Sequence, residues 1–266
     1  DRVLDDQAEY PVRQVDSLDW ETCNDLLAGI DVLVHFANHT KWNCNAPQEV
    51  FNANTAMNMN LFQAAANAGC RRIVFSSSIQ VFDGQLPTDD REVHDIVLPY
   101  IPIDSDMPPI ALNEYSLSKE VAESILKYFA ATSGMTCIAI RFPLLLDSTL
   151  LKRAIAQSGL RRGNAYDGFA YLPIYSGAEA AVKAITADLD GYRQYFVASK
   201  DNLGQIPARQ VIDEQLTALH RKKPIEKMDS LVDCSKVEAE LGWQQPQSLQ
   251  ESFAKYSECK EVQPYG

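Results

Sequence analysis

The strongest constraint on this chain is an alternation. Asp31–Ala37, Arg72–Ser78, Thr136–Phe142 and Gln194–Ala198 are short apolar runs rich in β-branched and aromatic residues, and helical patterns lie between them. Trp20–Ala28 reads as a helix stopped by Gly29, Phe51–Asn67 as a long one stopped by Gly69, and Asn113–Ala131 as another before Gly134. Gly suits such ends because it accepts the left-handed backbone that closes a helix. Near-continuous apolar runs suit parallel strands covered on both faces. Strand, helix, strand at this spacing implies βαβ units and a parallel sheet, and right-handed crossovers place helices on both sides of it. The predicted class is therefore α/β, a doubly wound parallel sheet. Arg2–Asp5 and Val12–Val15 read as two further short strands. Ligands of such sheets bind beyond the carboxyl ends of the strands, where this chain has Asp5, Ala37-Asn38 and Ser76-Ser77-Ser78.

After Pro143 the pattern changes to shorter elements: helices at Ser148–Gln157, Ala178–Asp188 and Ile206–His220, a strand near Tyr171–Ile174, and two short helices near Lys236–Leu241 and Ser248–Tyr256. The expected organisation is a first domain over 1–145 and a smaller α/β substrate lobe over 146–266, with 171–198 able to return to the main sheet.

Composition removes several function classes. A net charge of −12 argues against a nucleic-acid binder, because a phosphate backbone wants a basic footprint. No run of about 20 apolar residues is present, so no membrane helix is expected. The charged start Asp-Arg-Val-Leu-Asp-Asp does not suit a secretory signal. The six cysteines are scattered, with no Cys-x-x-Cys pair; they read as reduced thiols of a cytoplasmic protein, and no metal site is expected.

One pair in the Asn113–Ala131 helix carries chemistry. Tyr115 and Lys119 are four residues apart, so their side chains share a face. Leu117, Val121, Ile125 and Tyr128 form an apolar stripe by spacing, and Glu120, Glu123, Ser124 and Lys127 a polar sector. A free tyrosine keeps its proton to about pH 10. An ammonium beside it favours the phenolate, and a phenol tuned this way can exchange a proton with an alcohol or carbonyl. The spacing alone does not decide: Tyr256 and Lys260 repeat it near the C-terminus.

Motifs in order along nearly the whole chain resemble the extended short-chain dehydrogenase/reductase family, of the NAD-dependent epimerase/dehydratase type. Asp16-Ser-Leu-Asp19 resembles that family's Asp-Leu-x-Asp, and His35-Phe-Ala-Asn38 its His-x-Ala-Ala strand end. Asn54 resembles its helix asparagine, and Val74-Phe-Ser-Ser-Ser-Ile-Gln-Val-Phe-Asp-Gly84 its Val-Phe-Ser-Ser-Ser-x-x-Val-Tyr-Gly. Tyr115-Ser-Leu-Ser-Lys119 resembles Tyr-Gly-x-Ser-Lys with Ser116 for glycine, and Asp233–Trp243 the late helix that ends in Leu-Gly-Trp. The resemblance implies a Rossmann-like fold with NAD as cofactor. It makes Tyr115 the acid/base, Lys119 the ligand of the nicotinamide ribose, and Ser78 the residue that holds the substrate oxygen. It puts Asp5 on the adenosine ribose and Asp16, Ser17, Ala37, Asn38, Asn54 and Pro143 along the dinucleotide, with Gln80 joining Ser78 and Tyr115 on the substrate. Asp6 after Asp5, where an arginine would take a 2′-phosphate, favours NAD over NADP.

The departures matter too. No Gly-x-x-Gly-x-x-Gly occurs, although in the family it lies on the first strand and its turn and lets the backbone approach the pyrophosphate. Either about 30 residues of a βα unit precede this sequence in a longer protein, which is the favoured expectation, or the protein lacks the unit, binds NAD poorly and must cover a sheet edge. Ile79-Gln80 stands where dehydratases have Asp-Glu, Arg141-Phe-Pro-Leu144 lacks the epimerases' asparagine, and Ala170–Gly177 lacks an expected acid. Arg161 and Arg162 either clamp a substrate phosphate or are solvated. The leading expectation is an NAD-dependent oxidoreductase or epimerase acting on a hydroxyl-bearing carbon of a sugar or sugar nucleotide, as a homodimer built on the Phe51–Asn67 and Asn113–Ala131 helices. The alternative is a dinucleotide-sensing or regulatory protein without turnover. The missing glycine loop favours it; the Ser78, Tyr115, Lys119 set disfavours it.

Overall fold

The computed structural model describes residues 10–40, 46–82, 98–156 and 167–256. In chain order these form α1 (Trp20–Leu27), β1 (Val32–His35), α2 (Pro47–Ala68), β2 (Arg72–Ser78), β3 (Ile103–Asp104), α3 (Glu114–Ser133), β4 (Thr136–Phe142), β5 (Leu144–Leu146), α4 (Ser148–Ala156), β6 (Tyr171–Pro173), α5 (Ile174–Thr186), β7 (Tyr192–Phe196), α6 (Ala208–Gln215), β8 (Val232–Asp233), α7 (Ser235–Leu241) and α8 (Leu249–Tyr256). The main sheet has the order β1-β2-β4-β7. β1 and β2 pair in parallel, Val32 opposite Arg72 through His35 opposite Phe75, on either side of the α2 crossover. The α/β class and the parallel sheet are as expected. Asp5, Arg161, Arg162 and Lys260 lie outside the described residues.

The chain divides into two compact units. The first comprises 1–77, 113–139 and 188–193. Its core is built from Phe62 on α2, Phe75 on β2, Leu126 and Phe129 on α3, and Cys137 and Ala139 on β4. Phe62 meets Phe75 edge-on with ring centroids 5.6 Å apart. Burying one such ring contributes roughly 1.5–3 kcal/mol, and the fully buried Ala64, Ala65 and Ala122 let α2 and α3 approach closely. α2 opens on Pro47, four residues earlier than its apolar pattern indicates. Proline suits that first position because its missing N–H has no helical partner there.

Three expectations about this unit change. Val12–Val15 forms no strand among the described residues; short extended segments stay regular only when a ladder fixes their backbone polar groups. β1 is not covered on both faces, since Val34 is 41% and Phe36 50% exposed; among the described residues it is the last strand in the sheet order. The buried face of α3 holds Tyr115, Lys119, Ala122, Glu123, Leu126 and Phe129, whereas Leu117 and Tyr128 of the spaced apolar stripe are exposed and Glu123 of the supposed polar sector is interior.

The second unit comprises 78–112, 140–187 and 194–266. It carries two small parallel pairs, β3 with β8 and β5 with β6. β5, immediately after Pro143, has no sequence signal beyond three leucines. α5 starts directly from Pro173, upstream of the expected Ala178. Gly177 is accommodated inside it because Phe142, Leu145 and Leu172 pack within 3.4–3.6 Å of where a Cβ would sit. Arg141 is fully buried, donating to the Ser105 and Met107 carbonyls and lying over the Phe82 ring. The Leu-Gly-Trp end of α7 works as its composition implies: Gly242 takes φ +63 and Trp243, nearly inaccessible, donates its indole N–H to the Ser176 carbonyl at 3.0 Å. The Ile206–His220 helix is shorter than expected, ending at Gln215.

Candidate functional site

The first turn of α3 is fixed by a reciprocal cap. Asn113 Oδ1 accepts from the Ser116 N–H at 2.7 Å, and the Asn113 N–H donates to Ser116 Oγ at 3.1 Å. This satisfies helix-start donors that otherwise lack partners. It also accounts for Ser116 at the position where the resembled pattern has glycine: the hydroxyl is buried and used.

One turn on, α3 buries an amine. Lys119 is 2% exposed and Tyr115 9%. Lys119 Nζ donates to the Ser76 carbonyl at 2.5 Å and sits 4.7 Å from the Phe75 ring centroid and 5.5 Å from that of Tyr115. Burial pushes the ammonium down to about 7, opposed by the negative charge of Glu123. Taking a lone ammonium out of water costs several kcal/mol even after relaxation. A lysine with no task would extend to solvent; one held against a phenol with its proton affinity brought near neutrality is a candidate acid/base partner.

The surroundings set that charge. Ser77 Oγ donates to Glu123 Oε1 at 2.7 Å. His35 Nε2 lies 2.8 Å from Asn58 Oδ1, and its ring packs on Phe62 and Phe75. Burial, more than the nearby Lys119 charge, lowers His35 to about 4, so its imidazole is neutral at physiological pH. Glu123 and Asn58 carry no site role in the sequence reading, and Ser77 and His35 stand there only within the Ser76–Ser78 and His35–Asn38 motifs, without a role of their own. The signal for Glu123 was present: it lies four residues beyond Lys119, on the same face as Tyr115 and Lys119.

A second group forms where the chain leaves β1. Asn54, on α2, accepts from the His39 N–H at 2.8 Å and donates to the His39 carbonyl at 3.0 Å and to Ser118 Oγ at 3.1 Å. Ser118 Oγ in turn donates to the Tyr115 carbonyl at 2.7 Å. Asn54 therefore acts on the course of the 38–40 segment and ties it to the first turn of α3. Both polar atoms of the Asn38 side chain are buried without a hydrogen-bond partner among the described residues. Asn38 lines a cleft of about 480 Å³ together with His39, Thr40, Ala46, Glu49, Val50 and Ala53.

Among the other expected residues, Asp16 Oδ1 accepts from the Leu18 N–H at 3.0 Å, and the Ser17 carbonyl accepts from Asn60 Nδ2 at 3.2 Å; both belong to the turn before α1. Ala37 is exposed at the end of β1. Ser78, Gln80 and Pro143 belong to the second unit. There Ser78, 8% exposed, accepts from the Gln80 N–H at 3.2 Å and so caps the 3-10 turn Ile79–Val81, while Pro143 is buried after β4. The first unit thus brings Tyr115 and Lys119 together, and sets Asn54 of α2 on the backbone of His39, next to Asn38.

Known proteins resemble this chain in sequence and fold. The chain is 27% identical over 115 residues to a UDP-glucose 4-epimerase of Azospirillum brasilense, a match covering 42% of this chain and 29% of that protein's length. Its fold is similar to that of an L-threonine dehydrogenase from Cupriavidus necator (TM-score 0.66, 18% identity, 96% of this chain and 88% of that one). It is similar too to a UDP-glucose 4-epimerase from Thermotoga maritima solved with UDP-glucose (TM-score 0.64, 16% identity, 92% and 82%). The NAD dependent epimerase/dehydratase family matches residues 2–146, more than half of the sequence. With Tyr115 and Lys119 inside the matched segment, the chain belongs to the NAD-dependent epimerase/dehydratase family.

Proposed function

We propose that this protein is an NAD-dependent oxidoreductase or epimerase that acts on a hydroxyl-bearing carbon of a sugar or sugar nucleotide. The observation that carries the reading is the buried Lys119 ammonium beside the Tyr115 ring. What supports a dinucleotide in the first unit is geometric: among the described residues Asn38 keeps a buried donor and acceptor without protein partners, beside a cleft of about 480 Å³. Asn38 and the 38–40 backbone held by Asn54 would line the cofactor, Asp16 and Ser17 would lie toward its adenine end, and Lys119 would face its ribose. When bound, NAD supplies a hydride acceptor.

The chain's own residues would do the rest. Tyr115 Oη, its phenolate favoured by the positive charge of Lys119, would take the proton of the substrate hydroxyl as the carbon becomes a carbonyl, and return it in the reverse direction. Ser78 would hold the substrate oxygen with Gln80 also on the substrate, and Pro143 would lie along the dinucleotide. The similarity to a UDP-glucose 4-epimerase supports a nucleotide sugar as substrate class. We also propose a homodimer through α2 and α3, supported by the exposed apolar side chains Met59, Leu117 and Tyr128 on those helices. No helix among the described residues is long and apolar enough to cross a membrane, and the reduced-thiol reading favours the cytoplasm.

The test is Tyr115→Phe, assayed for NAD-linked turnover on a panel of UDP-sugars. The expected variant folds with an unchanged circular dichroism spectrum and loses roughly 10²-fold or more in rate, the scale of a general acid/base. Unchanged turnover would remove Tyr115 from the mechanism. Cofactor binding with no turnover by the unaltered protein on any such substrate would favour the sensing role.

A further inference from the structure

Glu123 is the one carboxylate of α3 that is taken out of water, at 2% exposure. A carboxylate inside a protein is costly unless it is hydrogen-bonded and faces a cation. Both conditions hold. Ser77 Oγ donates to Glu123 Oε1 at 2.7 Å, and Lys119, one helical turn before it, feels its charge. Ser77 stands beside Ser76 on β2, and the Ser76 carbonyl receives Lys119 Nζ. Two bonds from neighbouring strand residues thus converge on two α3 side chains four residues apart.

Resting on the acid/base reading of Tyr115 and Lys119, we infer that Glu123 is a positioning residue: through Ser77 it locks the end of β2 to α3 and supplies the counter-charge that holds the Lys119 amine, as an ammonium, against the Ser76 carbonyl beside Tyr115. Its role is exerted through Lys119. The groups around the amine leave it this part. Tyr115 belongs to the proposed acid/base chemistry, Ser76 offers a neutral carbonyl, Phe75 a ring face, and His35 is held neutral by burial. Burial drives Lys119 toward the uncharged amine, and Glu123 opposes that drive. Without it, the ammonium that favours the Tyr115 phenolate is lost at a lower pH, and the phenol then ionises at a higher one.

The experiment is an NMR titration of the whole chain labelled with ¹³C at the lysine ε carbon, with Lys119→Met used to assign the Lys119 resonance. In Glu123→Gln, which keeps an acceptor for Ser77 Oγ but removes the charge, the Lys119 midpoint is expected to fall by about one pH unit or more, the scale of a lost opposite charge. In the same variant the acid limb of the pH–rate profile is expected to move to higher pH. Should Glu123→Gln fail to fold, Ser77→Ala decides; it frees the carboxylate from its anchor and is expected to lower the midpoint by a smaller amount. A Lys119 midpoint unchanged in the folded variant overturns the inference. Failure of the functional reading itself looks different: Lys119→Met would then retain turnover, whatever the midpoint does in Glu123→Gln.

Discussion

At the scale of single residues, the amine of Lys119 sets the energetics of the site. A side chain that would titrate at 10.5 in water is held at about 7 by burial, so the folded protein binds fewer protons than the unfolded chain between those values. Stability therefore rises with pH across that window, the burial penalty being fully felt below about 7 and relieved as pH approaches 10.5. Lys119→Met removes that dependence. Chemical denaturation at a series of pH values should show the variant's stability relative to the native protein decreasing from pH 7 to pH 10.5; a constant difference would mean that the amine is not desolvated. His35 acts in the same direction lower on the scale. Held near 4 against an ordinary 6.5, it adds stability that is lost as pH falls from 6.5 toward 4, because the unfolded chain takes up the proton first.

At the scale of elements, α3 is the part on which the site is built, and its start is its most sensitive point. Removing the cap with Asn113→Ala costs about 1 kcal/mol and loosens the turn that carries Tyr115. A lower midpoint in thermal unfolding, together with slower turnover, is the expected result; a variant as stable and as active as the native protein would show that the Asn113–Ser116 pair is idle. α3 also shows what was legible in sequence and what was not. Its bounds followed from Asn113 and Gly134, and the Tyr115–Lys119 spacing from helical geometry. The spacing also put Ala122 and Leu126 on the Tyr115–Lys119 face, which is the buried one, but it did not exclude the equally regular apolar stripe of Leu117, Val121, Ile125 and Tyr128. Helical periodicity says which residues share a face, but tertiary packing selects the face, and here Phe62 and Phe75 draw in the one with Ala122 and Leu126. Glu123 was read as solvated for the same reason: nothing in α3 itself shows that Ser77 waits on β2. β1 illustrates the converse, an apolar run that suits a covered strand yet leaves Val34 and Phe36 exposed. The unpartnered amide of Asn38 is likewise invisible in sequence, since hydrogen-bond satisfaction belongs to the fold.

At the scale of the whole molecule, the proposed roles divide between the two units, with Tyr115, Lys119, Asn38 and Asn54 in the first and Ser78, Gln80 and Pro143 in the second. The proposed self-association uses the face of α3 that packing leaves out. Tyr128 is 55% and Leu117 43% exposed there, and a charge in the middle of an apolar contact is strongly unfavourable. Tyr128→Glu is therefore expected to shift sedimentation from dimer to monomer while leaving the circular dichroism spectrum unchanged; an unaltered sedimentation coefficient would move the interface elsewhere.

The central claim is that a buried ammonium and its phenol neighbour face a bound dinucleotide. Its most direct measurement is a fluorescence titration with NADH of the protein and of Lys119→Ala. The expected result is saturable binding in the micromolar range, weakened about ten-fold or more by the substitution, in line with the loss of a charge-assisted hydrogen bond of roughly 1.5–3 kcal/mol. Equal affinity in the two proteins, with the variant folded, would contradict the claim.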